Sequence, residues 1–229
     1  MRLTPRCMDM LKLLSAARWL RTRQLRRRFF AGCSVNAAQK RLRALAAGNF
    51  VRRLQPNRME DALFTLGPEG KRVLERGGLS DLVLHRQVPK QLEHFSGVND
   101  IRIAAELSFD LNYFFAYWEL ASIGWKQPII PDAVFGVESK NIAVEFDRGN
   151  ENVRFFAQKL KLYERGFHDF PLDRILVVTD RKARIEAFAK AVSSIGLKML
   201  FTTIDVVQQQ MLSEPICFEN AHRPGVTLL

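Results

Sequence analysis

Pro131-Asp132 and, 13 positions after that aspartate, Glu145-Phe146-Asp147 are the residues of this chain whose types and spacing best suit chemistry. Glu145 and Asp147 are two apart, so on a strand both point to one face. A hairpin between Asp132 and Glu145 would fold the first acid back against the second. Three carboxylates converging at strand ends repel one another, and their pKa values rise unless a cation neutralises them. Oxygen ligands with open positions are what Mg²⁺ prefers, and Mg²⁺ suits phosphodiester hydrolysis. The plain alternative is that these acids end exposed loops, capping turns or pairing with Arg148 and Arg154.

A second constellation lies near the N-terminus. Ser34 has the chemistry of an N-cap, and Val35–Ala47 reads as a helix closed by Gly48-Asn49. Ala38, Leu42 and Leu45 fall on one side of it, and Asn36, Gln39, Lys40 and Arg43 on the other. Asn and Gln can pair bidentately with adenine, and Arg or Lys with guanine, at about 1–3 kcal/mol of discrimination each. The same residues equally suit a solvated helix face.

The elements that would position these residues fall into two groups. In the first, Pro5 to Leu14 is predicted as a helix, with Met8, Leu11 and Leu14 on one buried face. Thr22 can cap a short helix through Arg28, and Ala31-Gly32-Cys33 makes the turn into the third. Phe50–Leu54 and Ala62–Leu66 read as two strands around a polar turn, and Gly67-Pro68-Glu69-Gly70 opens a last helix. Arg52, Arg53 and Arg58 would sit on that hairpin, suited to phosphate or a minor groove.

In the second group a helix is expected from Lys90 or Gln91 to about Phe109, then an extended aromatic segment Tyr113–Leu120. Strands follow at Ile129–Val137 and Asn141–Phe146, a long helix at 150–165, a strand at Arg174–Thr179, a helix at Lys182–Ile195 and a strand at Lys198–Thr203. This order makes a mixed α/β sheet flanked by helices. No G-x-G-x-x-G or G-x-x-x-x-G-K-[ST] appears, which disfavours a doubly wound nucleotide fold.

Composition supports the division. The 229 residues carry 35 Lys+Arg against 24 Asp+Glu. Residues 1–90 hold 20 and 6 of these and residues 91–229 hold 15 and 18, so balances of +14 and −3 make up the net +11. Charge asymmetry of this kind points to an N-terminal module that meets a polyanion. Gly77-Gly78 and the stretch to Pro89 make a linker, giving expected modules at 1–77 and 90–212 with a linker at 78–89 and a tail at 213–229. Cys7, Cys33 and Cys217 form no C-x-x-C, and the four histidines show no metal spacing. A disulfide framework and a zinc finger are set aside, and a reducing cytoplasm is expected. No apolar run approaches a membrane span.

Helix, helix, helix, hairpin, helix is a plan that resembles winged helix-turn-helix DNA-binding domains over residues 3–77. Double-stranded DNA is the partner this implies. Pro131-Asp132, a hairpin and Glu145-Phe146-Asp147 resemble the PD-(D/E)xK nuclease superfamily over roughly residues 90–203. That resemblance implies metal binding, Mg²⁺ in particular, by Asp132 and Glu145, assisted by Glu106 or Glu119. Its lysine position is Asp147, and in some members the lysine has moved to the next helix, where Lys159 and Lys161 are available. Lys159 shares a flank with Phe156 and Tyr163, away from Val153, Ala157 and Leu160.

The whole chain, with Glu145 to Glu151 and a downstream Lys159-Leu160-x-x-Tyr163, is similar to the replication-relaxation family of plasmids and other mobile elements. Two readings follow from the resemblance. One is a DNA-binding protein of replication or mobilisation whose nuclease-like module is degenerate and serves partner contact or a homodimer. The other is a Mg²⁺-dependent endonuclease or nickase, with Asp132, Glu145, Asp147 and Lys159 in its centre.

Overall fold

The computed structural model describes residues 2–56, 59–149, 151–166, 170–192, 195–209 and 219–220. The chain divides into two compact units, Met1–Asn99 and Asp100–Leu229. Among the described residues no helix is long and apolar enough to cross a membrane.

The first unit runs α1 (Pro5–Ala17), β1 (Leu20–Arg21), α2 (Thr22–Phe29), α3 (Val35–Ala47), β2 (Val51–Leu54), β3 (Leu63–Leu66) and α4 (Pro68–Arg76). Local chemistry starts each helix. Thr4 Oγ1 accepts from the Cys7 N–H at 3.4 Å, and Ser34 Oγ from the Ala37 N–H at 3.2 Å. Pro68 begins α4, where its missing N–H costs nothing. Thr22 is not a cap as expected. Arg21 occupies that position, and its N–H is bound at 2.8 Å by the Gln24 side chain reaching back.

The strands form one antiparallel sheet, β1-β3-β2. β1 is too short for periodicity to reveal, and only its pairing of Leu20 with Phe64 and of Arg21 with Leu63 defines it. Met10, Leu11, Leu14, Leu25, Leu42, Leu45 and Leu74 fill the core beneath. Past the expected linker, Glu93, Ser96 and Asn99 remain in this unit because polar side chains tie them in. Buried Arg21 pairs with Glu93 and donates to Ser96 Oγ at 3.1 Å. Gln24 donates to the Ser96 carbonyl at 2.8 Å, and Asn99 to the carbonyls of Ala17 and Trp19 at 3.1 and 3.0 Å.

Helix α5 (Leu92–Ser108) runs from the first unit into the second. The second unit continues with β4 (Leu111–Ala116), α6 (Tyr117–Leu120), β5 (Ala133–Val137), β6 (Lys140–Asp147), α7 (Val153–Gly166), β7 (Arg174–Thr179), α8 (Lys182–Ala191), β8 (Lys198–Thr203), α9 (Ile204–Gln209) and β9 (Glu219–Asn220). The sheet order is β4-β5-β6-β7-β8-β9, with β6, β7 and β8 parallel and the outer pairings antiparallel. The mixed sheet expected from the sequence is therefore present.

Two segments differ from expectation. The aromatic run ends as a helical turn at Tyr117, where the Glu119 carboxylate accepts from the Ala116 N–H at 2.9 Å. The strand expected from Ile129 starts only at Ala133. Pro131 cannot donate to a ladder, so Asp132 stands just outside β5.

Side-chain alternation assigns the faces. Val134, Ala143, Ile175, Val177 and Phe201 join Phe156, Leu160, Tyr163 and Phe188 of α7 and α8 in one core. On the other face Arg102 of α5 stacks over Phe114 at 4.7 Å and pairs with Glu119.

Gly70 lies on α4 where that helix crosses the start of β2, and a Cβ there would fall 2.2 Å from the Phe50 carbonyl oxygen. Gly70→Ala is expected to destabilise the first unit by about 1–3 kcal/mol or more, read as a lowered denaturant midpoint. An unchanged midpoint would contradict this packing.

Candidate functional site

Glu145 lies on β6 with its side chain on the face covered by α7 and α8, and only 2% of it is exposed. A carboxylate so placed needs partners. Lys159 of α7 donates to Glu145 Oε2 at 2.6 Å, and the Tyr163 hydroxyl, one turn further on, donates to Oε1. Lysine and tyrosine four apart share a helix face, so one helix supplies both donors. Phe156, Ala157, Leu160 and Tyr163 are all buried, so Lys159 borders the core rather than lying on a separate flank. Lys161 is exposed.

Asp132 completes the group. Ala133 pairs with Val144, which sets Asp132 opposite Glu145 across the hairpin. Its N–H donates to the Val144 carbonyl at 3.0 Å, and its carboxylate accepts from the Phe146 N–H at 2.7 Å. The backbone of β6 thus fixes the side chain that faces its own glutamate.

Burial pushes the Glu145 carboxyl up to about 7, and the charge of Asp132 acts in the same direction. Lys159 and the Tyr163 hydrogen bond pull it back only in part. Burial works against the Lys159 ammonium, but the charge and hydrogen bond of Glu145, with the charges of Asp132 and Glu151, together outweigh it and raise the pKa above that of a free lysine. Burial and then Glu145 hold Tyr163 well above an ordinary phenol, so it serves as a hydrogen-bond donor.

Asp147, two residues along the same face, has a different environment. Arg184 of α8 grips it with two bonds, at 2.6 and 3.1 Å, and Thr179 donates to it at 3.2 Å. Arg184 also donates to the Glu151 carbonyl at 2.6 Å, so one guanidinium ties β6 to the loop after it. The structure therefore brings Asp132, Glu145 and Lys159 together and holds Asp147 in a separate ion pair. Glu119 is engaged by Arg102 and the Ala116 N–H, and Glu106 is half-buried on α5. Among the described residues no three His, Cys, Asp or Glu side chains form a metal-binding group.

Sequence reasoning missed two contributors. The four-residue spacing of Lys159 and Tyr163 could have revealed the tyrosine's role. Arg184 lies 37 positions from Asp147, and no local pattern announces it.

The first unit holds the second candidate surface. Asn36, Gln39, Lys40 and Arg43 of α3 and Arg52 and Arg53 of β2 are exposed. Gln39, Arg43 and Arg53 line one open groove with Thr22, Leu42, Ala62 and Phe64. Arg58 lies outside the described residues.

The raised Glu145 pKa has a definite sign. The folded chain holds this proton more tightly than the unfolded one, whose carboxyl titrates near 4.5. The resulting stability is complete below that pH and is lost as pH rises through about 7. A ¹³C-NMR titration should show one glutamate carboxyl with a midpoint near 7, absent in Glu145→Gln. Ordinary midpoints for every glutamate would contradict the burial described.

Comparison with curated proteins gives no match. The family model for replication-relaxation matches residues 11–169, a stretch that includes α3, Asp132, Glu145, Lys159 and Tyr163 and stops before β7. The match covers well over half of the chain and ties it to replication and mobile-element DNA processes; the protein belongs to the replication-relaxation family.

Proposed function

We propose that this protein binds double-stranded DNA through its first unit, as a winged helix. In its second unit it would carry a Mg²⁺-dependent strand-cleaving centre built from Asp132, Glu145 and Lys159. Plasmid or mobile-element DNA in the cytoplasm would be its substrate, in replication or mobilisation. The observation that carries the cleavage reading is Lys159 Nζ at 2.6 Å from Glu145, opposite Asp132 across the hairpin. A lysine from the following helix would thereby take the part that the motif gives to the position of Asp147 on β6.

The donor set fits magnesium. The ion takes one or two carboxylates and keeps waters and phosphate oxygens for its remaining positions. Repulsion between Asp132 and buried Glu145 is the imbalance that a divalent cation relieves. Asp132 and Glu145 would hold the ion, which supplies Lewis acidity toward a phosphate and its attacking water. Lys159 would keep its proton and offer positive charge to the non-bridging oxygens of the pentacoordinate phosphorane as it forms. Tyr163 fixes the second oxygen of Glu145, and α7 and the sheet exclude water from that side.

A second reading has its own support. Both oxygens of Glu145 are engaged by Lys159 and Tyr163, and Arg184 fixes Asp147. In that reading the module is a degenerate nuclease used for dimerisation, and the chain binds DNA without cutting it.

Supercoiled plasmid with Mg²⁺ separates the two. Cleavage predicts nicking that falls by about 10²-fold or more in Asp132→Asn and in Lys159→Ala. Equal absence of nicking in all three proteins, with metal-independent binding retained, would leave only the second reading.

For binding, affinity should drop by about 0.9 log units per log unit of salt for each phosphate neutralised. Arg43→Ala should cost roughly 1–3 kcal/mol in a sequence-dependent way, and Arg53→Ala should weaken all duplexes alike. A flat salt response would contradict DNA binding by this unit.

A further inference from the structure

Two of the three cysteines share a pocket that the proposed DNA chemistry does not use. It measures about 470 Å³ and is lined by Thr4, Arg6, Cys7, Phe30, Cys33 and Arg41, among others. Cys7 sits in the first turn of α1, and Cys33 in the turn that leads to the Ser34 cap of α3. Neither is in a disulfide. Three hydrogen bonds converge on Cys7 Sγ, from Arg41 Nη2 at 2.9 Å, Arg41 Nε at 3.2 Å and Thr4 Oγ1 at 3.2 Å. A sulfur that accepts three hydrogen bonds, two of them from one guanidinium, is poised as thiolate. Burial opposes this, but the bonds from Thr4 and Arg41 prevail and the thiol pKa is lowered. Arg6, the chain neighbour of Cys7, directs a guanidinium nitrogen to Cys33 Sγ at 3.8 Å. Positive charge beside two sulfurs disfavours a bound metal cation. It favours anionic intermediates of oxidation.

We propose that this pocket is a thiol oxidation site, where hydroperoxides convert Cys7 and Cys33 into a disulfide that ties α1 to the turn before α3. The Cys7 thiolate attacks the peroxide; an S–O bond forms, the O–O bond breaks, and the departing oxygen takes a proton to leave as water from hydrogen peroxide or as an alcohol from an organic hydroperoxide. Cys33 then attacks the sulfenic sulfur; the S–S bond forms, and the sulfenic oxygen leaves as water with the Cys33 proton. The two thiols are oxidised by two electrons, one hydroperoxide is reduced, and a dithiol reductant reverses the change. The cross-link displaces the Ser34 cap and with it the polar face of α3. This regulatory consequence rests on the DNA-binding reading above.

The test uses the full chain carrying Cys217→Ser, so that Cys7 and Cys33 are its only thiols. After hydrogen peroxide, alkylation and peptide mass spectrometry, the Cys7 and Cys33 peptides should be joined within one chain, and dithiothreitol should separate them. In Cys33→Ser, a half-exposed position that leaves the core intact, Cys7 should instead be trapped as sulfenic acid by a 1,3-dione. Arg41→Gln should slow the oxidation by about fivefold or more. Both thiols remaining fully alkylatable, or linkage only between chains, overturns the proposal. Oxidised protein should bind duplex DNA about fivefold or more weakly than reduced protein. Unchanged affinity refutes the regulatory consequence. A reduced protein that binds no DNA refutes the winged-helix reading instead, and the thiol chemistry is then decided by mass alone.

Discussion

A carboxylate enclosed between a β-sheet and a helix is the constraint around which the second unit is arranged. Glu145 can lie there only because Lys159 and Tyr163 meet its two oxygens. Removing either donor would leave a buried charge inadequately compensated, which is costly in a medium that screens poorly. That requirement fixes the rotation of α7 about its own axis. Phe156, Leu160 and Tyr163 must enter the core while Lys159 stays at its border, and the helix periodicity satisfies both demands. The hairpin is constrained as well, since Asp132 reaches its place through two bonds to the β6 backbone.

Asp147 shows the other way of housing an acid on the same face. It receives a bidentate guanidinium and a hydroxyl, an arrangement that saturates a carboxylate. Glu145 is less completely compensated, with Asp132 opposing it. The contrast divides two acids two residues apart into one that locks β6 to α8 and one whose proton affinity is raised by burial and by the charge of Asp132. Perturbed carboxyls of the second kind are where functional sites concentrate.

Much of this was legible in the amino-acid order. The strands Arg174–Thr179 and Lys198–Thr203 and the helix Val35–Ala47 have the expected limits; a β-branched run marks the first and a Ser34-to-Gly48 frame the last. Asp132 and Glu145 could be nominated from Pro131 and a hairpin, and Lys159, beside Lys161, only from what the nuclease resemblance implies. What could not be read depends on partners distant in the chain. β1 exists only through its pairing with β3, and Arg184 reaches Asp147 from another helix. The polar ties from Arg21, Gln24 and Asn99 carry the first unit past the Gly77-Gly78 linker. Composition predicts a linker there, but it does not show which side chains hold that stretch to the first unit.

The account stands or falls on whether Asp132 and Glu145 act together on a cation. Crystals of the protein soaked in Mn²⁺, a magnesium substitute with a measurable anomalous signal, test this directly. The account predicts a peak between the two carboxylates, with Lys159 still bound to Glu145. A map with no peak there, or with manganese only at surface acids, would contradict it.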